Sequence, residues 1–144
     1  TWIQCFKLDA SICRFYNVYG PREPKTGNFA TVVRKFIRQY KNNESLTIVG
    51  DGEQRRDFTH VNDIVEGLIK VMDNGKSDNL YHLGRGVNYS INELTSMFEN
   101  PKIKYTPPRK GEGLVTLADY EETFNKLSWR ATYNLKDYIY NKTK

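Results

Sequence analysis

The sequence has few cysteines and no long hydrophobic segment, and both shortages restrict what the chain can be. Cys5 and Cys13 are too few for a disulfide framework and, with only two histidines, form no zinc-ligand pattern, so we expect no metal site. A membrane span needs about 20 consecutive apolar residues, and nothing similar occurs here, so we expect no membrane association. Because no secretory signal opens the sequence, the cysteine usage predicts a cytoplasmic protein.

By our interpretation, the sequence also lacks three motifs of catalysis and cofactor binding. We find no glycine-rich strand-turn-helix fingerprint of the kind that binds a dinucleotide. We also interpret the chain as lacking a Tyr-x-x-x-Lys catalytic pair and a serine nucleophile elbow. The sequence therefore predicts no dinucleotide-binding loop and no catalytic group of these two kinds.

Charge is mildly positive, with 22 basic and 17 acidic residues giving a net charge of +5. The densest basic positions are Arg55-Arg56 and the segment 107–111, "PPRKG", and they form no continuous stripe. This distribution permits an anionic ligand but gives little support to a nucleic-acid-binding module, so we expect no nucleic-acid partner.

Predicted strands and helices alternate along the chain, which indicates an α/β fold. A helix over 29–40 has one apolar face, Asp63 is the predicted N-cap of another helix, and Ser90 with Glu93 forms a capping box. The predicted strands are 11–20, 46–50, 56–61, 79–84 and 102–107. Further helices are predicted through Phe98, around 119–127 and around 135–141.

Three polar groups beside predicted turns are candidates for binding an anion. Asn17 in "RFYNVYGPR" could donate to a phosphate or bond its own turn. Arg55 and Arg56 should face opposite sides of a strand, so one could bind a ligand, with Asp57 as a holding partner, or both could form surface ion pairs. Arg109 in "PPRKGEG" could clamp an anion or be a solvated loop residue.

The order of these segments is more specific than any one of them. "RFYNVYGPR", "LTIVGDGEQRRDFTHVNDI", "YHLGRGVNYSINEL" and "PPRKGEG" together resemble the C-terminal half of the extended short-chain dehydrogenase/reductase superfamily. The closer resemblance is to NAD-dependent sugar-nucleotide epimerases and dehydratases of the UDP-glucose 4-epimerase kind. The implied fold is the C-terminal part of an extended Rossmann-type epimerase, lacking the N-terminal dinucleotide-binding motif. Residues 1–10 would be the tail of the catalytic helix, and residues 11–144 the nucleotide-sugar-binding region.

The resemblance also implies roles for particular residues. Arg56 would be the diphosphate arginine, with Arg55 as its exposed neighbour, and Asn17 and Arg109 would contact the same diphosphate. Glu112 stands where the family usually has a ribose-binding aspartate. The remaining implied contacts are Asn28 and Phe29 with the substrate, Thr47 and Val49 with the nucleotide base, and Phe15 with the nicotinamide.

Two functions from different classes follow. In the first, the chain is the substrate-binding portion of an NAD-dependent nucleotide-sugar epimerase or dehydratase, with a UDP-sugar as ligand and without NAD of its own. Since the resemblance implies that the family's catalytic residues lie in the other half, this portion would not catalyse a reaction alone. In the second, it is a truncated relic that folds and self-associates without ligand. Because the strand at 11–18 would leave an edge and an apolar face uncovered, we expect a homo-oligomer or a partner that supplies the N-terminal Rossmann half.

Overall fold

Seven strands and six helices alternate in the computed structural model, which describes residues 2–24, 27 and 29–144 and confirms the α/β prediction. The strands are β1 (Ile12–Phe15), β2 (Asn17–Tyr19), β3 (Leu46–Val49), β4 (Arg55–His60), β5 (Leu80–Leu83), β6 (Asn88–Ser90) and β7 (Ile103–Thr106). The helices are α1 (Trp2–Phe6), α2 (Val32–Lys41), α3 (Val61–Asn74), α4 (Ile91–Thr95), α5 (Tyr120–Leu127) and α6 (Leu135–Thr143).

The strands form three small sheets, and the chain changes sheet after a single residue. β1 pairs with β5 in parallel, and β3 pairs with β7 in parallel. β2 pairs in parallel with β4, which pairs antiparallel with β6. The predicted strand over 11–20 is therefore two strands in different sheets, separated only by Tyr16.

Helix α2 packs its apolar face into the larger of two cores. Its first turn is capped by Thr31, whose side chain accepts from the Arg34 N–H, so the helix begins later than residue 29, where the periodicity placed it. Val33, Phe36 and Ile37 recur with helical spacing and are buried. They pack with buried residues of the β-strands, of α4 and the turn after it, and of α6: Tyr19, Leu46, Ile48, Phe58, Ile91, Leu94, Phe98, Leu135 and Ile139.

Helix α3 packs in the smaller core and corrects one prediction. Its N-cap is His60, whose Nδ1 accepts from the Asn62 N–H at 3.2 Å. Asp63, the predicted cap, is buried, and its carboxylate accepts from the Thr132 N–H at 2.9 Å and the Tyr133 N–H at 3.1 Å. The helix therefore uses a less usual cap, because the aspartate binds a segment about 70 residues further along the chain.

Exposed apolar side chains occur at several places, including Leu114, Val115 and Leu117, and two groups of them lie on or beside helices. One is on α1 and β1, where Trp2, Phe6 and Ile12 are more than half exposed. The other is on α3, where Met72 is the most exposed of four apolar residues. Neither surface resembles a membrane segment, since none of the helices within 2–24 and 29–144 has the length and apolar character to cross a bilayer.

Candidate functional site

Six of the predicted site residues line one cleft of about 230 Å³ beside β2, β3 and β4. They are Asn17, Thr47, Val49, Arg56, Arg109 and Glu112. Parallel pairing of β2 with β4 places Asn17 opposite Phe58, two residues beyond Arg56. The strand register therefore brings the "NVYGP" and "RRDF" segments to the same site, and the loop after β7 adds Arg109 and Glu112.

Arg56 is held at the cleft wall by both a strand and a loop. Its side chain is 13% exposed, and its Nη2 lies 3.3 Å from the Glu112 Oε1. Its Nη1 donates to the Arg55 carbonyl at 2.9 Å and to the Leu114 carbonyl at 3.4 Å. The guanidinium is thus oriented before any ligand arrives, and it forms both an ion pair and a wall of the cleft.

Arg55 has a different role from the exposed neighbour that we expected. Its Nε donates to the Asn88 Oδ1 at 2.9 Å, and its Nη2 donates to the Glu93 Oε2 at 2.8 Å. These contacts tie β4 to β6 and to the first turn of α4. Arg55 and Arg56 therefore bind different elements, as their alternation along a strand predicts.

Asp57 does not bind either arginine, contrary to our prediction. The carboxylate is fully buried and accepts four hydrogen bonds. The donors are the N–H groups of Arg85 (3.0 Å), Gly86 (2.9 Å) and Ala118 (3.1 Å) and the hydroxyl of Thr59 (3.2 Å). Asp57 therefore fixes two loops to the middle of β4.

Asn17 is positioned by a residue that the sequence did not indicate. Its Oδ1 accepts from the hydroxyl of Thr116 at 3.1 Å. The same hydroxyl oxygen accepts from the Asp57 N–H at 3.2 Å. The amide of Asn17 at the cleft is thus connected to the backbone of β4 through one threonine side chain.

Lys35 and Gln54 also line the cleft and were missed from the sequence. Burial lowers the pKa of Lys35, and the positive charges of Arg109 and Arg38 lower it further. Lys35 lies one residue before Phe36 and three after Val32, at the edge of the buried face of α2. Only the helical periodicity could have indicated that Lys35 lies at this edge. Lys35, Arg56 and Arg109 give the cleft three cationic side chains against the single carboxylate of Glu112.

A second cavity of about 720 Å³ adjoins the cleft along β3. Val49, Gln54, Arg109 and Glu112 line both spaces. Thr47 is fixed at the cleft by Gln39, whose Nε2 donates to its hydroxyl at 3.1 Å and whose Oε1 accepts its N–H at 3.2 Å. A ligand with a charged centre and a flatter end could therefore occupy both spaces.

The remaining predicted site residues do not join this cleft. Phe29 is 88% exposed, and Phe15, at the end of β1, is 46% exposed, and neither lines the cleft. Asn28 lies outside the residues that the structure describes.

The interpretation that the chain has no Tyr-x-x-x-Lys spacing is wrong, since Tyr138 with Lys142 and Tyr140 with Lys144 have it in α6. The Nζ atoms lie 5.7 Å and 4.0 Å from the respective ring centroids, in cation-π contacts. Burial raises the pKa of Tyr138, which disfavours the phenolate that a tyrosine base requires. No residue of α6 lines the cleft. Tyr138 packs against the larger core, whereas Tyr140 is 53% exposed.

The fold is of the α/β class, and its cleft brings three cationic side chains and the amide of Asn17 together beside the parallel pair β2 and β4. Comparison with known proteins specifies the family, because the profile described as the NAD dependent epimerase/dehydratase family matches residues 1–84. The chain belongs to this family. The matched range contains Asn17 and Arg56, whereas Arg109 and Glu112 lie beyond it.

Individual relatives extend the similarity over nearly the whole chain. The UDP-N-acetyl-alpha-D-glucosaminuronate decarboxylase of Bacillus cytotoxicus is 39% identical over 87 residues, which are 60% of this chain and 27% of that protein. The structure of UDP-glucose 4-epimerase from Thermotoga maritima with UDP-glucose is similar with a TM-score of 0.88 at 29% identity. UDP-glucuronic acid 4-epimerase from Bacillus cereus, in complex with UDP-glucuronic acid and NAD, gives a TM-score of 0.87 at 25% identity. Both similarities cover 99% of this chain and 46% of the other, so the chain spans less than half the length of these relatives.

Proposed function

We propose that this chain is the C-terminal, substrate-binding half of a nucleotide-sugar epimerase, dehydratase or decarboxylase, and that its ligand is a UDP-sugar. The observation that carries the proposal is the convergence of Lys35, Arg56 and Arg109 with the amide of Asn17 on one cleft. A diphosphate carries two negative charges in adjacent groups, and planar guanidinium forks bind such oxygens in pairs. The similar structures that contain UDP-glucose and UDP-glucuronic acid support the choice of a nucleotide sugar.

In this proposal the cleft residues bind different parts of the ligand. Arg56 and Arg109 bind the diphosphate, Asn17 donates to it, and Glu112 accepts from the ribose hydroxyls after releasing Arg56. Thr47 and Val49 flank the base, which would extend towards the second cavity. The Arg56–Glu112 contact at 3.3 Å is a partly exposed ion pair of small net energy, so a diphosphate can replace it.

NAD, which the family name implies, does not fit the residues that the structure describes. Within residues 2–24 and 29–144, no strand leads through a glycine-rich turn into a helix. Phe15, the residue assigned to the nicotinamide, lies on β1 and outside the cleft. We therefore propose that this chain binds no NAD by itself. Its own residues bind and orient the nucleotide sugar.

The exposed apolar surfaces support the proposal that a second polypeptide segment covers them. Trp2 and Phe6 stack on α1, Ile12 and Phe15 are exposed on β1, and α3 contributes further exposed apolar side chains. Exposed apolar surface of this kind supports an interaction site. A Rossmann half or a second copy of the chain would cover it, and self-association without ligand binding is the alternative function.

Isothermal titration of the 144-residue chain with UDP-glucose tests the proposal, with UDP and dTDP as comparators. We expect saturable binding that Arg56→Ala weakens by at least about tenfold, because a charged hydrogen bond contributes about 1.5–3 kcal/mol. Arg130→Ala is the matched control, since Arg130 is exposed and lies outside the cleft. Absence of heat with all three ligands, from a folded chain whose mass in solution is that of a dimer, would instead support the relic.

A further inference from the structure

Segment 114–118 runs beside β4. At one position a side-chain oxygen of this segment, instead of a backbone carbonyl, accepts the hydrogen bond from the strand. The Arg55 N–H donates to the Leu114 carbonyl at 2.8 Å, and the Thr116 N–H donates to the Arg55 carbonyl at 3.0 Å. At the next position the Asp57 N–H donates to the hydroxyl oxygen of Thr116 instead of to a carbonyl, at 3.2 Å. The hydroxyl of Thr116 is therefore part of the connection between this segment and the strand that carries Arg56.

The hydrogen-bonding capacity of a hydroxyl then determines which way the Asn17 amide points. A backbone N–H can only donate, so the Thr116 oxygen accepts from Asp57 and retains one proton of its own. The acceptor within reach of that proton is the Asn17 Oδ1, at 3.1 Å. With Oδ1 occupied, Nδ2 is the end of the amide available to the cleft.

The opposite amide orientation satisfies the same groups less well. With the amide reversed, Nδ2 would donate to the Thr116 oxygen, which already accepts from Asp57. The hydroxyl proton would then have no acceptor among the contacts of the described residues, and the carbonyl oxygen of the amide would face the cleft. An oxygen there would repel an anion, whereas the two N–H bonds of Nδ2 attract one.

We propose that Thr116 is a positioning residue, which holds the Asn17 amide so that its Nδ2 donates to the anionic ligand. This inference rests on the proposed function, because it takes a diphosphate as that ligand. The backbone around Thr116 is fixed independently of its hydroxyl. The Thr116 carbonyl accepts from the Asn88 Nδ2 at 3.3 Å, and the Ala118 N–H donates to the buried Asp57 carboxylate at 3.1 Å.

The experiment measures UDP-glucose affinity of the 144-residue chain by titration calorimetry in four variants and the wild type. Thr116→Val, which removes the hydroxyl while keeping the shape, should weaken binding about tenfold, and Thr116→Ser should stay within about twofold. Asn17→Ala should weaken binding by at least as much as Thr116→Val. The double variant should bind no more weakly than Asn17→Ala alone, because Thr116 acts through the asparagine.

Controls separate this role from a structural one and from failure of the proposed function. Thr143→Val, in α6, should leave affinity unchanged, and thermal unfolding will show that each variant is folded. Wild-type affinity in Thr116→Val, or losses that multiply in the double variant, would overturn the positioning role while Arg56-dependent binding still supports the proposed function. Absence of wild-type binding would overturn both. As a direct check, the side-chain amide protons of Asn17 should shift in NMR spectra on addition of UDP-glucose, and unchanged signals would also overturn the inference.

Discussion

Replacing Asp57 by alanine should destabilise the chain strongly although the residue lies outside the cleft wall. The carboxylate is fully buried and accepts four hydrogen bonds, three of them from backbone N–H groups. These donors belong to two loops, one after β5 and one before α5. In Asp57→Ala the loops lose their common anchor, and three N–H groups are left near a cavity that alanine does not fill.

The magnitude follows from those contacts. A hydrogen bond to a charged group contributes about 1.5–3 kcal/mol, and an unsatisfied buried donor costs about 1–3 kcal/mol. Removing the carboxylate also removes its own cost of burial, and the loops can turn some N–H groups towards water. The net loss in the free energy of unfolding should be roughly 3 kcal/mol, a large part of the 5–15 kcal/mol of an ordinary domain. Asp57→Asn should lose less, because one oxygen still accepts.

Urea unfolding followed by tryptophan fluorescence measures this loss. Trp129 is buried at 2% exposure and will report unfolding of the smaller core, whereas Trp2 is 72% exposed. The matched control is Asp73→Ala, since Asp73 is exposed in α3. A change below about 1 kcal/mol for Asp57→Ala, similar to the control, would refute the reasoning that this carboxylate anchors the two loops.

Three further predictions concern a turn, a pH dependence and the cleft. Gly86→Ala should destabilise the chain by more than Gly111→Ala: both glycines have positive φ, at 73° and 78°, but a Cβ at Gly86 would collide with the Tyr120 ring, whereas the space at Gly111 is open. Burial lowers the pKa of His60 from 6.5, so the unfolded chain binds a proton first as pH falls; stability should therefore decrease below pH 6.5, and His60→Asn should reduce this dependence in urea unfolding series. Lys35→Ala should weaken UDP-glucose binding about tenfold in calorimetry, because it removes one of three cations from the cleft.

Each of these has an outcome that would contradict it. Equal unfolding free energies for the two glycine variants would show that the Tyr120 ring yields without cost. An unchanged pH profile in His60→Asn would assign the dependence to other groups. Lys41 is exposed on the same helix as Lys35, so an equal effect of Lys41→Ala and Lys35→Ala on affinity would indicate net charge rather than a contact.

Short sequence patterns predicted features that depend on hydrogen bonds between residues close together in the sequence. The capping box of α4 was predicted from Ser90 and Glu93 and is confirmed, with both reciprocal hydrogen bonds present. Asp63 carried an equally good local signal for a cap, and that prediction was wrong. The carboxylate instead binds the Thr132 and Tyr133 N–H groups, and no pattern within one helix length contains that contact.

The candidate site shows the same limit. Asn17 and Arg56 were predicted from their segments, and the pairing of β2 with β4 brings those segments together. The residue pattern left two alternatives for the paired arginines, an ion pair or an anion site, and Arg56 has the geometry of both. Lys35 and Thr116 had no motif, because their positions depend on how α2 packs against β3 and on how segment 114–118 runs beside β4.

The single residue between β1 and β2 has a mechanical consequence. Tyr16 separates a strand of one sheet from a strand of another, and the next residue is Asn17 at the cleft. Such a short connection contains no flexible segment that could absorb a shift. We therefore expect that a tilt of the β1–β5 sheet would reach Asn17 along the backbone. If a second segment docks on that sheet, as proposed, docking and ligand affinity should be coupled through one continuous stretch of eight residues, 12–19.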